Sequence, residues 1–142
     1  MKLRAFLRLT PQNRRLLLQA ITALATCDIR LRFQGMQRLH AWATKQRTAR
    51  ITAEPSDLIW AVQVASRRLP RSTCLKRALA LQRLLSHHGH YSELRIGVEK
   101  SDDRFRAHAW LMCDDQVVMG SPEFREYELL TAWQVKGLQL RR

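Results

Sequence analysis

The sequence predicts an α+β fold in which helices come first and a small antiparallel sheet of three or more strands follows. Apolar residues recur at helical spacing up to about residue 88, and from Leu94 onward they alternate with polar residues as in a strand. The chain has 142 residues, of which 46% are apolar, enough to bury one core. We therefore expect a single domain over residues 1–142.

The N-terminal part is predicted to contain three helices. Thr10 is the expected N-cap of the first, with Pro11 at its first position. The second is expected over about residues 33–43, and Ser56 is the expected N-cap of the third. The intervening stretch, residues 44–52, is rich in Lys and Arg and is predicted to be a loop or linker.

A fourth helix is predicted to begin at Cys74, with Ser72 or Thr73 as its N-cap, and to stop at Gly89. Its broad apolar face consists of Leu75, Ala78, Leu79, Leu81, Leu84 and Leu85. The residues expected on its polar face are Lys76, Arg77, Gln82, Arg83 and Ser86.

The second half of the chain has the period of two that is typical of strands. Leu94, Ile96 and Val98 alternate with polar residues and glycine. The next run places Phe105, Ala107, Ala109, Leu111 and Cys113 on one face and Arg106, His108, Trp110 and Met112 on the other. Asp114 and Asp115 then predict a turn into residues 116–119, hence an antiparallel hairpin, and residues 126–130 are a candidate for a further strand.

Cys74 and His108 form a candidate nucleophile and base pair. The thiolate, not the thiol, attacks a carbonyl, and a free cysteine is mostly protonated near neutral pH. A helix start offers unpaired N–H groups and the positive end of the helix dipole, and a nearby imidazolium adds a full positive charge. A Cys at a helix start and a His on a strand therefore suggest a thiol hydrolase.

Three ordered segments resemble a known family. They are Cys74-Leu75-Lys76-Arg77-Ala78-Leu79-Ala80-Leu81, Leu94-Arg95-Ile96-Gly97-Val98, and Phe105-Arg106-Ala107-His108-Ala109-Trp110. In this order they resemble the B2 proteins of lasso peptide biosynthesis, which are transglutaminase-like cysteine peptidases. The resemblance covers roughly residues 55–130 and implies a papain-like arrangement, in which the Cys74 helix packs on the sheet. Members of the family remove the leader from a ribosomally made precursor peptide.

The resemblance implies Cys74 as the nucleophile and His108 as the general base. The position of Cys74 at a helix start makes its backbone N–H the expected oxyanion donor. The family commonly has an orienting Asp about a dozen residues after the His, as in a catalytic triad; this chain has Met119-Gly120-Ser121 there, with Gly120 at the expected Asp position. A two-residue turn would put Ser121 opposite His108, whereas a bulge or longer turn would change that register. Ser121, Glu123 or a backbone carbonyl are the candidates for holding the imidazole.

Further expectations concern cofactors, partners and Trp110. No cofactor or metal is implied. The expected partners are the precursor peptide, a small leader-recognition protein and an asparagine-synthetase-like cyclase. Trp110, two residues from His108 on the same strand face, either roofs the site or has an ordinary packing role.

Positive charge is concentrated in the first third of the chain. The formal net charge is +13, and residues 1–50 contribute +10 of it, from eleven Lys or Arg and one acidic residue, Asp28. One interpretation is a solvated helix face whose arginines cover apolar surface. The other is an electrostatic dock for an acidic partner, such as the leader or the leader-recognition protein. Such a chain also binds nucleic acid non-specifically, but no motif for specific recognition is present.

The remaining cysteines and histidines favour structural roles. Cys27 and Cys113 lie on apolar faces and are expected in the core; three widely spaced cysteines do not predict disulfides or a zinc site. His87, His88 and His90 fit charge compensation at a helix C-terminus better than a metal cluster.

Neither a membrane span nor a secretory signal is predicted, because the apolar runs are too short and the first residues lack an apolar core and cleavage site. The cytoplasm is the expected compartment.

Two further hypotheses come from other functional classes. Because the orienting Asp is missing, the first is a non-catalytic scaffold of the same fold that binds the precursor or partner proteins. The second is a basic nucleic-acid-binding protein.

Overall fold

The computed structural model describes residues 6–45, 50–101, 104–120 and 128–135. The side chains of residues 98–106 and 128–135 lie outside this description. The main elements are α1 (Pro11–Phe33), α2 (Met36–Thr44), α3 (Pro55–Ser66), α4 (Cys74–His87), β1 (Ser92–Ser101), β2 (Arg104–Cys113), β3 (Gln116–Met119) and β4 (Glu128–Val135). The order of the elements confirms the predicted α+β class.

Helix starts follow the capping rules, with one correction. The hydroxyl of Thr10 accepts from the N–H of Asn13 at 3.2 Å, so the first helix begins as predicted. The third helix does not have Ser56 as its N-cap: Glu54 is the N-cap and Pro55 occupies the first turn. Proline suits that position because its missing N–H would have no partner there and its φ is already helical.

The second helix begins at Met36, later than expected, because the backbone is extended at Gln34 and at Gly35, its N-cap. The break separates α1 from α2 and lets the shorter helix turn its buried residues, Leu39 and Ala43, toward the core.

The four strands form one antiparallel sheet in the order β3-β2-β1-β4. Residues Glu93 to Ser101 of β1 pair with Arg104 to Met112 of β2, and Gly97 lies opposite His108. β4 adds to the free edge of β1; it starts two residues after the expected strand and continues to Val135. The sheet therefore has β3 at one edge, next to the strand that carries His108.

The β2–β3 hairpin has the predicted two-residue turn. Asp114 and Asp115 have φ of 49° and 59°, as both central residues of a type I′ turn must. Cys113 pairs with Gln116, but a bulge then shifts the register, so that Leu111 pairs with Met119. The regular register that would put Ser121 opposite His108 is therefore interrupted before that point.

α4 is the central element of the core. Helices α1, α2 and α3 and the sheet all contact it. Its residues Ala78 to Gln82 are fully buried, and each buried leucine contributes about 2 kcal/mol. The expectation that Gln82 and Ser86 lie on a polar, outward face is wrong, because both are fully buried where neighbouring elements cover that side of the helix.

An ion pair joins the start of α4 to α1. The ammonium of Lys76 bonds to Asp28, and the other carboxylate oxygen of Asp28 lies 3.1 Å from Arg32. The hydrogen bond from Lys76 is the main reason that the pKa of Asp28 is lowered, and Arg32 adds to it. The one acidic residue among residues 1–50 thus serves to position the helix that begins at Cys74.

The end of α4 is held by His88 and Gly89. The Nε2 of His88 lies 3.0 Å from the Gln19 carbonyl oxygen and its Nδ1 bonds to the hydroxyl of Thr52. The side-chain amide oxygen of Gln19 only accepts, so Nε2–H of His88 donates to it. A Cβ on Gly89, whose φ is +85°, would lie 2.8 Å from the carbonyl oxygen of Arg50, so glycine is required there.

Burial lowers the pKa of His88 to about 4, and the neighbouring His87, His90 and Arg15 add to the effect. The expectation that His88 compensates charge at the helix end is therefore wrong: a buried ring bonded through both nitrogens is more stable uncharged. His90 also has a structural bond, from Nε2 to the carbonyl oxygen of Ala53 at 2.7 Å.

No helix in the described parts of the chain is long and apolar enough to cross a membrane.

His88 makes stability depend on pH. Its ring takes up a proton at pH 6.5 when unfolded but only at about 4 when folded. The unfolded state therefore binds more protons between these two pH values. The stability that the neutral His88 ring contributes above pH 6.5 is lost as the pH falls toward 4. We expect wild type to lose about 1 kcal/mol per pH unit there relative to His88→Gln. Urea unfolding at several pH values measures it; identical pH slopes would contradict the assignment.

Candidate active site

Cys74 is the first residue of α4. Its N-cap is Thr73, whose hydroxyl accepts from the N–H of Lys76 at 3.4 Å. The first N–H of the helix to reach a backbone carbonyl is that of Arg77, which bonds to Thr73 at 3.1 Å. The N–H of Cys74 therefore lies ahead of the helical hydrogen-bond ladder, where a backbone donor remains for a ligand.

The loop before Cys74 is held by side chains from the helix itself. The Lys76 ammonium donates to the carbonyl of Arg71 at 3.2 Å, and the Arg77 guanidinium donates twice to the carbonyl of Ser72, at 3.1 and 3.3 Å. Arg71 has a φ of 66°, which reverses the chain just before the helix. These bonds fix the approach to Cys74.

Cys74 and His108 line the same cavity, of about 510 Å³. Further lining comes from α3 and the residue after it, from α4 and from the β3 edge, and includes Gln63, Ser66, Arg67, Arg77, Val118 and Gly120. Cys74 is half-buried, so part of its surface remains accessible. The fold thus brings together two residues that are 34 positions apart in the sequence.

His108 lies in the middle of β2 and is half-buried. Its ring is stacked near that of Trp110, with centroids 6.4 Å apart and planes inclined by 22°. Trp110 is only 5% exposed, so the indole is well buried beside the imidazole. The alternate residues Ala109, Leu111 and Cys113 enter the apolar core, which confirms that His108 lies on the other set of positions.

The other two cysteines are core residues, as predicted. Cys27 is fully buried and Cys113 is 5% exposed. Burial raises the pKa of Cys27 to about 12, and burial with the nearby Asp114 raises that of Cys113 to about 11. Both remain protonated at neutral pH, so Cys74 is the thiol whose surroundings suit nucleophilic chemistry.

The residues expected to orient His108 have different outcomes. Ser121 and Glu123 lie outside the described residues. Gly120 is described: it lies against Trp110, where a Cβ would be 2.5 Å from the Trp110 Cβ, and its φ is +118°. A side chain, including the Asp that the resemblance leads one to expect, does not fit this backbone at position 120.

The cavity also contains residues that sequence reasoning did not single out. Gln63 and Arg67 come from α3 and the residue that follows it, and Arg77 projects from the first turn of α4. No acidic residue is among the described lining. A carboxylate or a developing oxyanion in the cavity therefore finds cationic and amide donors without a competing negative charge. A helical period places Gln63 on an exposed face but does not show which cavity that face borders.

Comparison with known families agrees with this geometry. A family model described as the transglutaminase-like superfamily matches residues 21–131. The chain belongs to the transglutaminase-like superfamily. The match includes both Cys74 and His108 and begins within α1, well before the segment on which the resemblance in the sequence rests.

Transglutaminase-like proteins generally include cysteine peptidases and transglutaminases. No curated protein and no solved structure gives a significant match to this chain. Among the described residues of this transglutaminase-like domain, no group of three or more His, Cys, Asp or Glu is arranged to hold a metal ion.

Cys74 is expected to be the thiol that reacts first with an alkylating reagent. At a pH of about 7.5 the native protein should take up one equivalent of iodoacetamide, because the two core thiols are buried and protonated. Intact-mass spectrometry measures the uptake. Cys74→Ala should take up none until it is unfolded; rapid labelling of native Cys74→Ala would show that a core thiol is reactive.

Gly120 is expected to tolerate no side chain. Gly120→Ser should destabilise the protein by about 2–4 kcal/mol, because it combines strain at a positive φ with a clash against Trp110. Gly35→Ser is the matched control: a Cβ on Gly35 would have no neighbouring atom within 4 Å, and the residue is an N-cap, where serine is favoured. Denaturant unfolding compares the two; equal stabilities would contradict the close approach at Trp110.

Proposed function

We propose that this protein is a cysteine peptidase in which Cys74 is the nucleophile and His108 the general base, and that its substrate is a peptide. The observation that carries the proposal is the shared cavity: Cys74 at the start of α4 and His108 on β2 line the same space. The membership of the superfamily and the protonated state of the two core thiols support it.

The chemistry follows from the positions of these groups. His108 takes the thiol proton as the Cys74 sulfur attacks the substrate carbonyl. The N–H of Cys74 donates to the oxyanion that forms on the carbonyl oxygen. The C–N bond then breaks, and the imidazolium gives its proton to the leaving amine. His108 next activates a water that attacks the thioester, which releases a carboxylate and restores the thiol.

The substrate we propose is the precursor of a lasso peptide, from which this protein removes the leader in the cytoplasm. The order of the Cys74, Leu94–Val98 and His108 segments supports this assignment, and the cationic cavity suits a peptide with acidic groups near the cleaved bond. The proposed partners are the leader-recognition protein, which presents the precursor, and an asparagine-synthetase-like cyclase, which closes the ring on the freed core peptide.

A scaffold without catalytic activity is the second candidate, and Gly120 is the observation that favours it. The backbone at this position excludes an Asp side chain, so the imidazole has no carboxylate from residue 120 to orient it. A Cys–His pair depends less on such a carboxylate than a Ser–His pair, because its thiol is more acidic than a hydroxyl. The peptidase is therefore the better-supported function.

A cleavage assay separates the two candidates. The precursor, sought as a short reading frame beside the cyclase gene, is incubated with the protein, with and without the leader-recognition partner. We expect wild type to release the leader with the gain of one water in total product mass. Cys74→Ala should be inactive, and His108→Ala should be slower by about 10²–10⁴-fold.

Cys113→Ala is the control for the assay, since it removes a core thiol outside the described cavity lining and should retain activity. Cleavage that survives in Cys74→Ala would exclude the thiol mechanism. If wild type binds the precursor but cleaves nothing under any partner condition, the scaffold is the correct function. Transfer of the acyl group from Cys74 to an amine instead of to water would identify a transglutaminase.

A further inference from the structure

A second cavity, of about 770 Å³, lies away from Cys74. It is formed by α1, by the end of α2 and by the C-terminal half of α4, and we call it the basic groove. The lining residues that define it here are Arg14, Arg15, Leu18, Trp42, Arg83 and Leu84. None of these belongs to the lining of the Cys74 cavity.

The described lining of the basic groove carries positive charge. Its described lining includes Arg14, Arg15 and Arg83 and no acidic residue. Neither Arg14 nor Arg15 takes part in an ion pair between described residues. The one acidic residue of the first third, Asp28, is engaged by Lys76 and Arg32. The groove therefore attracts a negatively charged ligand.

Apolar surface accompanies the charge. Leu18 is 54% exposed in the groove wall, and Trp42 and Leu84 add further apolar surface. The guanidinium groups of Arg30 and Arg83 lie 5.4 and 5.5 Å from the Trp42 ring centroid, so the ring is already engaged by cations and is poorly placed to stack on a base. These features suit a peptide with acidic and apolar side chains better than a nucleic acid.

The position of α4 links such a peptide to the Cys74 cavity, because this helix borders both cavities. From Cys74 to Leu84 the helix rises about 15 Å, a distance that an extended peptide covers in about five residues. Both cavities present arginines and no acidic residue among their described lining. Residues 1–5 of this chain, by contrast, carry Lys2 and Arg4 and so have the same charge sign as the groove.

We propose that the basic groove is an exosite for the peptide substrate, which binds a segment with interspersed acidic and apolar residues at least about five residues from the cleaved bond. This inference rests on the proposed function, because it assigns the occupant to the substrate of Cys74. Residues of the groove then contribute to substrate affinity but not to the chemical step.

Binding is tested in the 142-residue chain with the substitution Cys74→Ala, so that cleavage does not interfere. The probe is a fluorescein-labelled synthetic peptide of Glu and Leu residues, followed by anisotropy at physiological salt. Arg14→Glu should weaken binding about five- to tenfold, since an attraction becomes a repulsion. Arg38→Glu, an exposed change of equal charge outside the groove lining, should alter it less than about twofold. α1 has no acidic residue in its first turn, so a Glu at position 14 suits the helix dipole.

The apolar contribution to peptide binding is tested with a matched pair of variants, both on α1. Leu18→Ser should weaken binding about threefold or more, whereas Ile29→Ser, 59% exposed and outside the groove lining, should not. Probes with Lys in place of Glu, or Ser in place of Leu, should bind more weakly.

If Arg14→Glu and Arg38→Glu weaken binding equally, the attraction is non-specific and the inference is wrong. Tighter binding of single-stranded RNA with the same dependence on Arg14 would assign the groove to nucleic acid and also overturn it.

Kinetics then separate this inference from the proposed function. With the precursor as substrate, Arg14→Glu and Leu18→Ser should raise KM and leave kcat unchanged, as expected for a contact remote from the reacting atoms. Unchanged KM in an active enzyme would overturn the exosite and leave the peptidase intact. Probe binding with the expected variant pattern, in a wild-type protein that cleaves no peptide, would instead reject the peptidase and retain the groove as a peptide site.

Discussion

The burial of α4 is the constraint on which the rest of the structure depends. Three helices and the sheet contact this helix, so nearly every core residue is placed by reference to it. The start of this helix borders the smaller cavity, and Cys74 is its first residue. The same burial that stabilises the fold by apolar transfer therefore also holds the candidate nucleophile on a rigid element, where unpaired helical N–H groups are available to a reacting carbonyl oxygen.

Charged side chains hold neighbouring helices against α4 near both of its ends. Asp28 is engaged by Lys76 and Arg32, which joins α1 to the first turn of α4. Arg83 donates to the carbonyls of Trp42 and Lys45, so it closes the end of α2 against the same helix. Arg83 also lines the basic groove, together with Arg14 and Arg15. Because α4 connects this groove with the Cys74 cavity, one extended anionic peptide is a better common ligand for both than two unrelated molecules.

The histidine side of the candidate site depends on strand geometry. Side chains alternate between the two faces of β2, which determines the face on which His108 lies, and Trp110 is buried beside it. The bulge between β2 and β3 then brings Gly120 against Trp110, so that the aromatic contact next to the imidazole and a side chain at position 120 exclude each other. In this chain the imidazole of His108 therefore has the Trp110 ring beside it, and position 120, where the resemblance leads one to expect an Asp, has no side chain.

Short-range rules in the sequence were sufficient for several features: the start of α4 at Cys74, the turn at Asp114 and Asp115, and the core positions of Cys27 and Cys113. Capping, turn conformation and periodicity depend on neighbouring residues, so they can be read without the fold. Tertiary structure alone decided that Gln82, predicted to be on a polar face, is buried, that Gln63 and Arg67 join Cys74 in one cavity, and that Gly120 meets Trp110. Each of these results depends on contacts between distant segments or on a one-residue bulge, which leave no local pattern in the sequence.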